Sequence, residues 1–206
     1  MMDTDTGFKT GRIEALSDGI FAIAMTILIL SFETLFKQPV TGMTETDLIA
    51  VMREYLPDLL HYVESFIILG VFWYLHHRQF HFIKKVDAIA LFINILGLMF
   101  IALIPFSAVI LGDYGNIRFA AILFECNLLF AGLTFFGHWV YVVHGHRFVN
   151  KEMDGSTIRF YGKRNMLMPA VSLLAVLVSL LNPRIGVSLY LAVPFILILW
   201  KRRDEQ

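Results

Sequence analysis

Three residues that could do chemistry stand together where a long apolar segment begins. Arg12, Ser17 and Asp18 open a run that is almost purely aliphatic as far as Phe32. In a helix, Asp18 would lie about 9 Å beyond Arg12, just inside a hydrocarbon layer. An ionised carboxylate there is costly unless it is paired or hydrated. The spacing therefore predicts a polar contact with a neighbouring helix; a helix cap formed by Ser17 or Asp18 is the alternative.

Trp73 and His77 could donate hydrogen bonds to such a carboxylate. They are four residues apart, and residues at this spacing share one face of a helix. We expect this face to meet Ser17 and Asp18, because both segments lie near the same membrane boundary. His77 also pairs with His81 at helical spacing, but a zinc site needs three or four ligands and nothing nearby supplies a cysteine. We therefore predict no metal.

Two carboxylates interrupt other apolar segments. Glu64 follows His61, and Glu125 precedes Cys126. Such groups serve either as proton relays or as structural hydrogen bonds between helices, and both interpretations stay open. The sequence has no nucleophile elbow, no phosphate-binding glycine loop and no paired carboxylates in one helical phase, so we predict that the protein is not an enzyme. Its net charge of +0 excludes the basic stripe of a nucleic-acid-binding protein.

The elements that must position these residues are membrane helices. Of the 206 residues, 57% are hydrophobic and 17% are charged, whereas a soluble domain carries about 25% charge. A span needs about 20 mostly apolar residues. We predict an all-α membrane protein with one domain, residues 1–206. Its six transmembrane helices cover residues 13–32, 57–80, 88–112, 118–143, 165–181 and 185–200.

The loops predict the orientation and two turns. Most Lys and Arg residues fall on the side that holds both termini. This side should be cytoplasmic in a multi-pass protein of the cell membrane. Residues 43–55 are expected to form a short interfacial helix capped by Thr44 or Thr46. Gly112–Asn116 and Asn182–Arg184 each predict a tight turn between spans.

The first predicted helix carries a single apolar stripe. Its residues recur at alternating spacings of four and three, which places them on one face: Leu16, Ile20, Ile23, Ile27, Leu30 and Thr34. Asp18 is about 200° away from Leu16 and faces away from the stripe. Small residues form a further line that permits close helix contact: Ala15, Gly19, Ala22 and Thr26. Packing against lipid or a bundle core is one interpretation of the stripe.

The motif Arg12-x-x-x-Leu16-Ser17-Asp18 and the following Gly19–Thr26 resemble the Arg-x-x-x-Phe-Ser-Asp signature of the transmembrane protein 175 family of potassium channels. The segment Phe72–Phe80 resembles that family's later segment with tryptophan and histidine. Length and layout are similar to those of its bacterial single-repeat members. Leu16 stands where the family has Phe.

The resemblance implies a homotetramer in the lipid bilayer, with a central pore lined by the first helices. Rings of Ile23, Ile27 and Leu30 would form a hydrophobic constriction, which gates by dewetting. The implied function is a weakly selective cation channel that passes K⁺ and other monovalent cations without a cofactor. Thr26 would offer a hydroxyl near the pore, or else bond back to the carbonyl of Ala22. The resemblance makes Arg12, Ser17, Asp18, Trp73 and His77 a polar motif that supports structure and assembly.

Two other functions fit the sequence without the resemblance. A proton-coupled secondary transporter would use Asp18, Glu64 and Glu125 as coupling carboxylates. A membrane scaffold would transport nothing. Ion flux through reconstituted protein separates the three functions, because a channel passes ions down a gradient far faster than a transporter cycles.

Overall fold

Helices form most of the computed structural model, which describes residues 8–30 and 42–200. The helices, in chain order, are α1 (Thr10–Leu30), α2 (Glu45–Glu54), α3 (Leu56–Phe80), α4 (Ala88–Tyr114), α5 (Arg118–Val143), α6 (Gly155–Asn165), α7 (Leu167–Ser179), α8 (Pro183–Ser188) and α9 (Ala192–Leu199). Short 3₁₀ turns at His144–His146 and Leu189–Leu191 follow α5 and precede α9.

Among residues 8–30 and 42–200, four helices are long and apolar enough to cross a membrane: α1, α3, α4 and α5. They coincide with the first four predicted spans. The end of the first predicted span, residues 31–32, lies outside the described residues. Helix α4 continues to Tyr114, two residues beyond its predicted end. The turn before α5 therefore occupies residues 115–117, so that only Gly115 and Asn116 of the predicted turn Gly112–Asn116 lie in it.

The fifth and sixth predicted spans are shorter than a membrane requires. Met166 separates α6 from α7, which has 13 residues. At 1.5 Å per residue α7 is about 20 Å long, against a hydrocarbon core of about 30 Å. The last apolar segment, Pro183–Leu199, also falls below the length of a full span and contains a 3₁₀ turn. The single six-span domain accordingly stays a prediction.

Local hydrogen bonds explain where two short helices begin. Thr44 caps α2: its side chain accepts from the Asp47 amide, and the Asp47 carboxylate accepts from the Thr44 amide at 2.9 Å. The predicted helix is confirmed, with Thr44 rather than Thr46 as its cap. Asn182 caps α8, where Oδ1 accepts from the amides of Arg184 and Ile185. The predicted turn between α7 and α8 is confirmed.

The chain is not purely helical. Strands β1 (Phe8–Lys9) and β2 (Lys85–Val86) pair antiparallel, with Phe8 opposite Val86. This ladder joins the segment before α1 to the one before α4. Strands of two residues are too short to show a period of two in the sequence, so the expectation of an all-α fold missed them.

The core lies where α1, α3, α4, α5 and α7 pack together. Gly97 of α4 permits a close approach, since a Cβ at that position would lie 2.6 Å from the ring of Phe135. Gly132 of α5 does the same for Pro169 of α7, at 2.8 Å. Helix α1 contributes Phe21 and Leu28 to this core. One face of α1 is therefore fixed by its own chain.

Candidate functional site

Helix α1 has one buried and one open face. The side chains that pack into the chain recur at spacings of three and four residues, and they are Ile13, Ser17, Phe21, Ala24 and Leu28. Sequence analysis did not single out this second periodic face, although its spacing is as regular as that of the predicted stripe. The buried face fixes the rotation of α1, and with it the direction of every other residue on the helix.

The predicted stripe lies on the open face. Ile23 is 59% exposed, Ile27 44% and Leu30 60%. Leu16 is exposed as well, and Ile20 is half-buried. Thr34 lies outside the described residues. A single chain thus leaves a row of branched aliphatic side chains without cover, as expected of a surface that meets lipid or other copies of the chain.

The line of small residues is also exposed, beside the stripe. Thr26 Oγ1 donates back to the carbonyl of Ala22 at 3.0 Å and to that of Ile23 at 2.9 Å. Of the two roles considered for Thr26, the structure shows the bond within the helix. Its hydroxyl hydrogen is used there, while the oxygen keeps a lone pair on the open face.

Asp18 and Trp73 are brought together. Trp73 Nε1 donates to Asp18 Oδ1 at 2.9 Å, and the rings of Trp73 and His77 stack with centroids 5.6 Å apart. This bond joins α1 to α3, as the spacing predicted. His77 supports the indole ring and, within the described residues, does not itself hydrogen-bond Asp18. Arg12 is exposed and forms no ion pair with a carboxylate in residues 8–30 or 42–200.

Ser17 does not share the site of Asp18, which corrects the expectation that the two act together. It is fully buried, and its hydroxyl donates to the Ile13 carbonyl at 2.8 Å. Asn94 of α4 approaches it at 3.5 Å and pairs with His76 at 2.9 Å. Consecutive residues differ by about 100° on a helix, so Ser17 points into the core while Asp18 points to the edge.

The grouping of Ser17 with His76 and Asn94 was not predicted from the sequence. The predicted polar motif includes His77 but not its neighbour His76. The available signal was its phase, because His76 lies four residues after Phe72 and four before Phe80, and both are buried. A histidine in line with buried aromatic residues needs a polar partner from another helix, and Asn94 of α4 supplies it.

The three carboxylates considered for proton coupling have separate partners. Glu64 Oε2 lies 3.8 Å from His61 Nδ1, and Glu125 Oε1 accepts from Ser179 Oγ at 2.6 Å. Asp18 is held by Trp73 instead. In the described part of the chain, no group of three His, Cys, Asp or Glu side chains could hold a metal ion.

The fold and the open α1 face together define a multi-pass membrane protein. Residues 12–105, from Arg12 through most of α4, match the family described as endosomal/lysosomal potassium channel TMEM175. A potassium channel from Chamaesiphon minutus is 30% identical over 96% of this chain and 98% of its own length. The chain therefore belongs to the TMEM175 family, whose members are ion channels rather than enzymes.

Two further comparisons agree with this family assignment. A crystal structure of a lysosomal potassium-selective channel TMEM175 homolog from Chamaesiphon minutus superimposes with a TM-score of 0.77 at 26% identity, over 94% of this chain and 98% of that one. An endosomal/lysosomal proton channel TMEM175 from Danio rerio is 30% identical over 77% of this chain, which spans 31% of that longer protein. The relatives' names thus include both a potassium and a proton channel.

Proposed function

We propose that four copies of this chain form a potassium-permeable, weakly selective cation channel whose α1 helices line a central pore. The observation that carries the proposal is the division of α1 into two faces. Its core face is fixed by its own chain, while Ile23, Ile27 and Leu30 stay uncovered. A fourfold axis beside α1 would cover these side chains, and the name of the Chamaesiphon relative supports K⁺ as the permeating ion.

The chemistry of the stripe sets the expected selectivity. Rings of branched aliphatic side chains offer no oxygen ligands, so an ion passes such a constriction only after losing part of its hydration shell. Larger, weakly hydrated cations lose less free energy on dehydration, which favours K⁺ over Na⁺. No cage of fixed oxygens enforces the preference, so it should be modest.

The residues beside the stripe suit contact between copies. Gly19 and Ala22 are small and exposed, which permits neighbouring helices to approach closely. The bond from Trp73 to Asp18 would hold α1 against α3 while α1 lines the pore. In this arrangement Arg12, Ser17, Asp18, Trp73 and His77 support assembly and do not touch the ion. Both termini would lie on the cytoplasmic side of the cell membrane.

Two measurements on one protein preparation test this proposal: the mass of the oligomer and the flux of K⁺. The full chain is reconstituted in lipid nanodiscs to measure its oligomeric mass, and in vesicles with a K⁺ gradient to measure flux. We expect four chains per particle and K⁺ flux that continues down the gradient without a coupled ion. A monomer would contradict the central pore. Flux that requires a proton gradient would instead favour the transporter, and an absence of flux would favour the scaffold.

A further inference from the structure

A buried arginine lies at the end of α6 without an acidic partner. Arg164 is only 2% exposed. Its Nη2 donates to the Tyr74 hydroxyl at 2.9 Å, and its guanidinium lies over the rings of Tyr74 and Phe160, 5.3 and 5.6 Å from their centroids. Within the described residues, Nε and Nη1 have no hydrogen-bond partner and no carboxylate forms an ion pair with this side chain. Two N–H-bearing nitrogens are therefore free for an acceptor.

The free guanidinium lines an apolar groove of about 380 Å³ between α3 and the last helical segment. Gly70 and Val71 of α3 form one side of it, and Leu197 and Ile198 of α9 form the other. Ile198 is 64% exposed, so the groove opens on the outer surface of the chain. Arg164 is the one charged residue among those that line it in the described part of the chain.

The charge of Arg164 and the apolar groove indicate which class of ligand could bind here. A buried arginine without an acidic partner is unfavourable unless an anion compensates it. The planar guanidinium fits the oxygens of a phosphate through paired N–H donors. An apolar groove on the outer surface of a membrane protein suits a hydrocarbon chain. A molecule that combines both parts is a phospholipid of the leaflet next to α6.

We propose that Arg164 and this groove bind an anionic phospholipid, whose phosphate accepts hydrogen bonds from Arg164 while one acyl chain lies along Gly70 and Leu197. A net negative headgroup is favoured over a zwitterionic one, because the described lining residues include no carboxylate to pair with a choline cation. Lys163, exposed beside Arg164, adds positive charge at the same end of α6. Basic groups at this depth are the usual means by which membrane proteins attract anionic lipids.

A second groove also contains an arginine, but this arginine has a carboxylate nearby. Arg147 lines a groove between α4 and α5 together with Gly137 and Tyr141. It lies over the Tyr141 ring at 5.0 Å and interacts electrostatically with the Asp87 carboxylate. The Asp87 carboxylate thus partly neutralises the charge of Arg147, whereas no carboxylate among the described residues does so for Arg164. The second groove therefore supplies a matched control.

The test titrates the full-length protein in detergent with palmitoyl-oleoyl phosphatidylglycerol and, separately, with the phosphatidylcholine of the same chains. Native mass spectrometry counts the lipids retained. We expect the wild type to retain phosphatidylglycerol at lower concentrations than phosphatidylcholine. Arg164→Gln should weaken phosphatidylglycerol retention about fivefold, the contribution of one basic side chain at an anionic surface.

Gly70→Leu tests the groove without touching the arginine, in case Arg164→Gln folds poorly. A Cβ at Gly70 would meet no heavy atom within 4 Å, so the larger side chain fills the groove and spares the core. We expect the same loss of phosphatidylglycerol. Gly137→Leu is the control, because a Cβ there also meets nothing within 4 Å but points to the second groove. It should bind as the wild type does.

Three results would overturn the proposal. The first is equal retention of the two lipids by the wild type, or wild-type retention by both Arg164→Gln and Gly70→Leu. The second is a Gly70→Leu variant that dissociates into smaller oligomers and binds lipid normally, which would make the groove an interface between copies. The third is phosphatidylglycerol binding that emerges only in an Asp204→Asn, Glu205→Gln double variant, because the chain's own carboxylates would then occupy Arg164.

Discussion

Ile23 is the residue at which the proposed pore is tested most directly. In the proposed tetramer, four copies of this branched side chain meeting on an axis would leave a gap too narrow for a hydrated ion. Ile23→Asn or Ile23→Ser should wet this constriction and lower the cost of dehydration. We expect single-channel conductance to rise and the preference for K⁺ over Na⁺ to fall, measured by conductance and reversal potentials in planar bilayers.

The neighbouring residues provide graded and negative controls. Ile27→Asn and Leu30→Asn should show the same trend more weakly if their rings are wider. Met25 is two residues from Ile23, about 200° round the helix, and packs half-buried against the core. Met25→Ala should lower the melting temperature and leave permeation unchanged. Altered selectivity in Met25→Ala, together with unchanged conductance in Ile23→Asn, would place the stripe against lipid.

Asp18 tests the bond between α1 and α3. Asp18→Ala removes the acceptor of the Trp73 indole, which should cost about 0.5–1.5 kcal/mol for the lost hydrogen bond. We expect a lower yield of tetramer on size-exclusion chromatography. Surviving channels should keep the wild-type K⁺/Na⁺ ratio, because Asp18 lies away from the stripe. Trp73→Phe should reproduce the defect. Normal assembly with changed selectivity would contradict the assignment of Asp18 to assembly.

At the scale of elements, the start of α4 depends on one carboxylate. Asp87 Oδ1 accepts from the Ala90 amide at 2.8 Å, and Oδ2 accepts from the Tyr141 hydroxyl at 2.7 Å. Slight burial raises the pKa of Asp87, but these hydrogen bonds and the nearby Arg147 outweigh it and hold the pKa below its ordinary value of 3.8. A carboxylate with a lowered folded-state pKa stabilises the fold above its unfolded value and loses that effect as pH falls through the folded value.

Asp87→Asn should therefore melt at a lower temperature than the wild type at neutral pH. Asn still caps the helix but gives up charge-assisted hydrogen bonds, which are about twice as strong as neutral ones. The difference in melting temperature should stay constant from pH 7 to about 4 and shrink below that, as the wild-type carboxylate is protonated. Asp87→Ala, which also loses the cap, should cost about 1 kcal/mol more. A difference that persists unchanged below pH 3 would exclude this role.

The sequence predicted the elements with the strongest signals and missed those that depend on tertiary contacts. The four long spans follow from runs of apolar residues, and the bond between Asp18 and Trp73 follows from helical phase. The different environments of Ser17 and Asp18 could not be predicted from the sequence. They depend on the rotation of α1, which is set by packing at Phe21 and Leu28. The break at Met166 and the two-residue strands carry no periodic signal, and the pairing of His76 with Asn94 requires knowing that α3 and α4 are adjacent.

At the scale of the whole molecule, the single chain leaves much of its apolar surface uncovered. Large side chains such as Phe92, Phe119 and Leu199 are exposed on α4, α5 and α9. A bilayer covers such a surface without any partner protein. The stripe on α1 differs from these side chains, because it runs along a helix whose small residues and Asp18–Trp73 bond suit contact between copies in the proposed tetramer. In the proposed tetramer, the surfaces that meet lipid and those that meet other subunits would therefore occupy different parts of the chain.

Mixing copies separates a pore on the symmetry axis from one inside each chain. A closed ring takes one Ile23 from each subunit, so every copy contributes equally to the constriction. Wild-type and Ile23→Asn chains, co-expressed with different affinity tags and purified through both, should give single-channel conductance levels between those of the two pure forms. The intermediate levels should shift towards the variant as its share of the mixture rises. If the pore lay within each chain, only the two parental levels would be seen at every ratio.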